Sequence, residues 1–348
     1  MADRMRPVSY RDAGVDLGAA EEAMARIRGL VESTRSGEVV AGFGAFAGLW
    51  RLPAGGGSLL AATIDGVGTK LRVAQATGRH RSVAADLVNH CVDDLLVSGA
   101  RPAFCLDYFG CGRLDPGVLA EVVAGLAEAC HEAGCVLLGG ETAEMPGFYA
   151  AEDYDLALCM VGMAREETVL GAHRVREGDR VLGLPSRGLH TNGFSLARKV
   201  LLEVAGLPLD RPVPGFGRTL ADELLEPHRS YLALLWPEIE AGHVSALAHV
   251  TGGGIPGNLA RSLPASCDAL VRIGSWPELP IFDLIRRRGN VAEDEMRRVF
   301  NLGIGMLAVV PPPAAAALRE GVEGRGGACY EVGEIVPGRG EVRFVPAA

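Results

Sequence analysis

The chain has 348 residues, 48% hydrophobic and 22% charged, and its 43 Asp and Glu outnumber its 34 Lys and Arg, for a formal net charge of −9. That length suits two domains, each with its own core, and the acidic balance argues against a nucleic-acid surface. No run approaches the ~20 apolar residues of a membrane helix, Met1 to Gly14 lacks the apolar segment of a signal peptide, and no two cysteines sit at C-x-x-C spacing, so we expect a cytoplasmic chain with buried free thiols and no nucleic-acid or membrane partner.

In chain order, Ala19 to Ser33 places Ala23, Ile27, Leu30 and Val31 on one helical face. Glu38 to Leu52 carries Gly42, Gly44 and Gly48 among apolar residues, which suits a strand with close backbone approach. The apolar run Leu59 to Ile64 reads as a buried strand that delivers Asp65 to the loop Gly66-Val67-Gly68-Thr69-Lys70. A carboxylate, a glycine backbone, a hydroxyl and an ammonium in close succession suit Mg²⁺ and phosphate. An ordinary tight turn accounts for the same stretch equally well.

Ser82 to Ser98 reads as a helix closed by Gly99, with Leu87, Val88, Cys91, Val92 and Leu95 on its buried side. Asp86, His90 and Asp94 share another face, with Asp93 beside them. Taken alone, such a face is expected to be solvated. Pro102 to Phe109 is strand-like and carries Asp107. A helix follows, capped by Asp115 with Pro116 in its first turn, and ends near Gly134. The short strand Cys135 to Leu138 then runs into a second glycine-carboxylate junction, Gly139-Gly140-Glu141. Leu156 to Met163 is a further strand. The charged stretch around Glu166 to Asp179 marks a boundary near residue 170, dividing the chain into 1–170 and 171–348.

In the second half, the strand Arg180 to Leu184 leads into Ser186-Arg187-Gly188-Leu189-His190-Thr191-Asn192-Gly193 and a helix from about Phe194 to Ala205, with Asn192 as its cap. This entrance suits an anion, and equally a helix that is merely well capped. Ala221 to Ile239 is helical in two parts, broken near Pro227 and Pro237. Ala246 to Val250 feeds Thr251-Gly252-Gly253-Gly254. A helix at Asp294 to Phe300, a strand at Met306 to Val310, a short helix and two strands close the chain. The alternation of strands and helices gives an α/β or α+β class.

Several familiar signatures are missing. Thr69 precedes Lys70, the reverse of a P-loop. Gly303-Ile304-Gly305 leads into a strand instead of following one, so it is no dinucleotide fingerprint. What remains is a set of carboxylates at element ends (Asp65, Asp93, Asp94, Asp107, Glu141 and Glu144) beside glycine clusters. These fit a Mg²⁺-nucleotide end in the first half, with a smaller anionic substrate reaching the second.

The motifs Tyr10 to Asp16, Asp65 to Lys70, Gly139 to Gly147, Gly188 to Leu196, His249 to Gly254 and Phe300 to Met306 together resemble the phosphoribosylformylglycinamidine cyclo-ligase (aminoimidazole ribonucleotide synthetase) family nearly end to end. The resemblance implies a two-domain α/β (α+β) fold and a homodimer whose N-terminal sheets join into a barrel. It implies ATP and Mg²⁺ as cofactors and closure of formylglycinamidine ribonucleotide to aminoimidazole ribonucleotide after phosphorylation of the formyl oxygen. It assigns Asp65, Asp94 and Glu141 to metal and nucleotide, and His190, with Asp65 and Asp94, to catalysis. Arg28, Gly66, Val67, Gly68, Thr69, Lys70, Gly139 and Gly140 become candidates for the nucleotide. His190, Thr191, Asn192, Gly252, Gly253 and Gly254 become candidates for the substrate. The sequence departs from the family at Arg28 (usually Lys), Asp93 (usually Asn), His228 (more often Thr) and Gly257 (more often Glu). Formylglycinamidine ribonucleotide synthetase, thiamine-monophosphate kinase and selenophosphate synthetase share the metal logic. The last is disfavoured because the first cysteine is Cys91.

Overall fold

The computed structural model describes residues 6–53 and 55–346. The first six strands are β1 (Val39–Ala41), β2 (Gly48–Arg51), β3 (Ser58–Gly66), β4 (Arg101–Cys111), β5 (Val136–Glu144) and β6 (Tyr154–Arg165). They form one sheet in the order β1-β2-β3-β6-β4-β5. Among the described residues of this sheet only β4 and β5 pair in parallel, because a helix crossover joins them. The helices of this half are α1 (Leu17–Glu32), α2 (Leu71–Thr77), α3 (Arg81–Val97) and α4 (Pro116–Ala133). Helix α4 begins and ends as its local residues dictate. The Asp115 carboxylate accepts from the N–H groups of Gly117 and Val118, and Gly134 closes it in the left-handed region.

The second half holds β7 (Arg180–Pro185), β8 (Ala246–His249), β9 (Cys267–Ile273), β10 (Ile304–Val310), β11 (Tyr330–Pro337) and β12 (Val342–Pro346). Their order is β12-β9-β11-β7-β10-β8. Helix α5 (Phe194–Arg198) continues as a π-helix over Lys199–Val204. Residue 170 falls between the two sheets, which end at Arg165 and begin at Arg180.

Helix α3 is the centre of the molecule. One side packs Leu87, Cys91 and Leu95 under the first sheet's face made by Leu59, Ala61, Leu156 and Leu158, all buried. The opposite, polar side meets the second half, so 14 of its 17 residues are buried. The expected solvated face is therefore corrected. Its carboxylates are partnered by the backbone of the segment after Pro227. The His228 N–H donates to Asp86 (2.6 Å), the Tyr231 N–H to Asp93 (2.8 Å), and Asn89 donates to the His228 carbonyl (2.7 Å). Buried polar groups are tolerated only when bonded in this way.

Two glycine stretches also differ from expectation. The Glu38–Leu52 stretch is two short strands separated by a turn, not one strand. Gly139 and Gly140 are not in a loop but inside β5. A Cβ on Gly140 would run into Asp107 of β4, so glycine serves close strand approach there.

Candidate active site

Strand β3 alternates faces, so Leu59, Ala61, Thr63 and Asp65 point towards α3. This sets Asp65 at the mouth of the seam between the two halves. Asp94 rises from α3 into the same seam. Three imidazoles and a hydroxyl link the two carboxylates. His90 Nε2 lies 3.1 Å from Asp65 Oδ2, and His90 Nδ1 lies 2.8 Å from Thr191 Oγ1. Thr191 Oγ1 reaches His228 Nδ1 at 3.5 Å. His228 Nε2 and His249 Nε2 are 2.9 Å apart, and His249 Nδ1 meets Asp94 Oδ1 at 2.8 Å. One set of protons satisfies every link. His90 donates from both nitrogens, Thr191 donates to His228, His228 donates to His249, and His249 donates to Asp94; these positions are inferred from the network.

The electrostatics agree with that assignment. Burial alone would lower His90, but the hydrogen bond and charge of Asp65 outweigh it and raise the imidazole to about 9. Burial would likewise raise Asp65, and His90 reverses this to hold the carboxyl below its ordinary value. His190 is held well below the ordinary histidine value chiefly by burial, with the Lys70 ammonium adding to the effect. It is therefore a neutral imidazole. Its ring stacks on His228 with centroids 4.0 Å apart, and its Nε2 accepts from the Arg187 N–H at 3.3 Å. Its backbone φ is +63°, a left-handed conformation that costs a non-glycine residue energy and often marks functional sites.

The structure brings together Asp65, Asp94, Thr191 and His190. Asn192 Nδ2 donates to Thr191 (3.3 Å), and a Cβ on Gly252 would lie 3.3 Å from Asn192 Oδ1. Asn192 is therefore a neighbour of the Gly252–Gly254 turn and not a helix cap; Gly193, at φ +78°, takes the cap position. The side chain of Asn258 braces that turn by donating to the carbonyls of Thr251, Gly252 and Gly254. Thr69 meets Ser195 across the seam at 3.0 Å.

Three nucleotide candidates stand apart from the Asp65–Asp94 pair within one chain. Lys70 is fully buried. Its Nζ pairs with Asp86 at 2.7 Å and donates to the carbonyls of His190 (3.2 Å) and Glu226 (2.8 Å), so it anchors the seam and is not free for phosphate. Glu141 does not share a metal with Asp65 in one chain. Register across β3, β6, β4 and β5 aligns Asp65 with Leu158, Asp107 and Gly140, whereas Glu141 aligns with Tyr108, Ala157 and Gly66 on the other face. Three strand spacings, about 14 Å in all, also separate them. Arg28 lies on exposed α1, over the Phe43 ring (5.2 Å) and 3.6 Å from Glu32.

His249 entered the sequence reading only as the first residue of a motif, and His228 only as a departure from the family pattern. The available signal was His249 closing an apolar strand just before a glycine turn. His228 carried none, because its role depends on a contact with α3 that is remote in sequence.

A two-carboxylate seam between two α/β halves, closed by glycine turns, has the donor types that a divalent cation and a nucleotide would need. The AIR synthase related protein N-terminal domain matches residues 44–164, and the C-terminal domain of the same description matches 176–345. Phosphoribosylformylglycinamidine cyclo-ligase from Myxococcus xanthus is 48% identical over 97% of this chain and 98% of its own, and the protein of that name from Geobacillus kaustophilus is 44% identical over 95% and 96%. The chain belongs to the phosphoribosylformylglycinamidine cyclo-ligase family. Its fold is shared by a protein from Thermus thermophilus (TM-score 0.64, 20% identity, 94% of this chain and 97% of that one). Thiamine-monophosphate kinase from Stenotrophomonas maltophilia shares it too (0.60, 21%, 93% and 96%).

Proposed function

We propose that the chain closes formylglycinamidine ribonucleotide to aminoimidazole ribonucleotide, consuming ATP and releasing ADP and phosphate in purine synthesis. The observation that carries this reading is the convergence of Asp65 and Asp94 on one seam with His190, Thr191 and His249 from the second half, on a chain of this family. The formyl oxygen takes the γ-phosphoryl group, an amidine-side nitrogen attacks the activated carbon, and phosphate leaves with the formyl oxygen. Asp65 and Asp94 suit Mg²⁺, which takes one or two carboxylates plus phosphates and waters; the ion would draw charge from the transferring phosphoryl group. The chain's own contribution is positioning and charge stabilisation. Thr191, Asn192 and the Gly252–Gly254 turn line the substrate side, and neutral His190 serves as a polar or acid/base group beside it. The Gly66–Gly68 backbone and Thr69 remain candidates for phosphate. Residues 1–170 form the nucleotide half and 171–348 the substrate half.

A cytoplasmic homodimer completes the proposal. The face of the first sheet away from α3 exposes Ile64, Leu106 and Met163, 70%, 42% and 40% accessible. Aligned apolar residues left bare on a sheet call for a cover, and a second copy forming a barrel supplies one. Glu141 lies on that face, where it could serve a nucleotide only through the assembled dimer. Among the described residues, no helix is long and apolar enough to cross a membrane.

The test is to incubate the purified chain with Mg-ATP and formylglycinamidine ribonucleotide. Equimolar aminoimidazole ribonucleotide, ADP and phosphate support the reading; ADP without the ring product, or no reaction where a control enzyme is active, overturns it.

A further inference from the structure

We infer that His190, His228 and His249, with Asp93 beside them as a fourth ligand, form a binding site for a borderline transition-metal ion of the Zn²⁺ and Co²⁺ class, adjoining the Asp65–Asp94 carboxylates and sharing His190 and His249 with the proposed substrate side. One ring nitrogen from each of His190, His228 and His249 lies within 4.8 Å of the others, and all three residues are buried. Asp93 Oδ2 is 3.4 Å from His228 Nε2.

Two unsatisfied atoms border this group. Asp93 Oδ2 and His190 Nδ1 are both buried with no hydrogen-bond partner among the described residues. Such orphans are rare in folded proteins, and an ion is one of the few things that explains them. The 2.9 Å approach of His228 Nε2 and His249 Nε2 depends on a single proton between two basic nitrogens, and a cation can replace that proton.

The outer shell is also in place. His249 donates from Nδ1 to Asp94, which fixes the tautomer that leaves Nε2 free for a metal. His228 would move its proton to Nδ1, facing Thr191 Oγ1. His190 would move its proton from Nδ1 to Nε2, giving up the bond from the Arg187 N–H. Zn–N bonds of about 2.0–2.1 Å in a tetrahedron hold two nitrogens about 3.3 Å apart, so His228 Nε2 and His249 Nε2 would part slightly to admit the ion and His190 would swing out of its stack on His228. Three imidazoles and one carboxylate select Zn²⁺ or Co²⁺ over Mg²⁺. A cleft of about 680 Å³ lined by Asn89, Arg187, His228 and Arg229 gives an entry path. Asp93 lies on α3 and the three histidines lie in the second half, so a bound ion would pin the halves together.

The experiment adds Co²⁺ to the chelator-treated full-length protein, without ATP or substrate. The expected result is one Co²⁺ per chain with the visible d–d absorption of a four-coordinate site, displaced by Zn²⁺ and not by excess Mg²⁺. His228→Ala should weaken binding roughly 100-fold or more, at least the upper end of what an outer-shell change costs. Asp93→Asn keeps an acceptor for the Tyr231 N–H, so it should stay folded while shifting the spectrum and lowering affinity. Thermal melts confirm that both variants are folded. No stoichiometric Co²⁺, wild-type binding by folded His228→Ala, or equal loss in Asp65→Asn would overturn the site; the last would place the ion at the Asp65–Asp94 pair. Because the readout needs no turnover, this site and the cyclo-ligase reading can fail independently.

Discussion

Replacing Lys70 separates an anchoring role from a phosphate-binding one. The ammonium is fully buried, with Asp86, the His190 carbonyl and the Glu226 carbonyl as its acceptors. Lys70→Met keeps most of the volume but leaves Asp86 as a buried charge whose remaining partner is the His228 N–H. Removing one member of such a pair costs about 3–5 kcal/mol. Against a typical domain stability of about 5–15 kcal/mol, that is a large fraction. Adding Asp86→Asn keeps an acceptor for His228 while removing the charge, so the double variant should recover part of the loss, and the cycle measures the coupling. Urea unfolding gives the stabilities, and initial rates give KM for ATP. We expect a clear fall in the urea midpoint for the single variant, partial recovery in the double, and little change in KM for the folded fraction. A stable Lys70→Met protein whose KM for ATP rises tenfold or more would refute the reasoning and return Lys70 to the phosphates.

Other outcomes follow from the same geometry. Asp94→Asn should weaken Mg-ATP binding strongly, measured by calorimetry; unchanged affinity and turnover would remove Asp94 from the site. Gly193→Ala should give a poorly folded protein, because its φ of +78° disfavours a side chain and the new Cβ would strike the Phe300 ring. Its melting temperature checks this, and a wild-type melt would contradict it. Ile64→Asp combined with Leu106→Asp should yield monomers in sedimentation velocity, whereas an intact dimer would place the interface elsewhere.

What could be read from the sequence was what local residues decide. Helix α4 is an example: Asp115, Pro116 and Gly134 set its ends regardless of what packs beside it. The strand carrying Asp65 and the presence of Asp94 in a helix were legible for the same reason. The polar face of α3 was not, because Asp86, Asn89 and Asp93 each bond to the backbone of a segment some 140 residues further along the chain. Glycines at 139 and 140 look like a loop until β4 is set beside them, when the Asp107 contact explains their small size. Lys70 beside a glycine turn has the look of a phosphate ligand. Only the fold shows that Asp86 claims its charge first. Glu141 belongs to the same class, since sheet register and not sequence spacing decides which face a strand residue occupies.

The central claim is ring closure through a phosphorylated formyl oxygen, and it is tested most directly with substrate carrying heavy oxygen in the formyl group. Mass spectrometry of the released phosphate should find the label there, one atom for each aminoimidazole ribonucleotide formed and only when Mg-ATP is present. Label appearing in water, with unlabelled phosphate, would contradict the account.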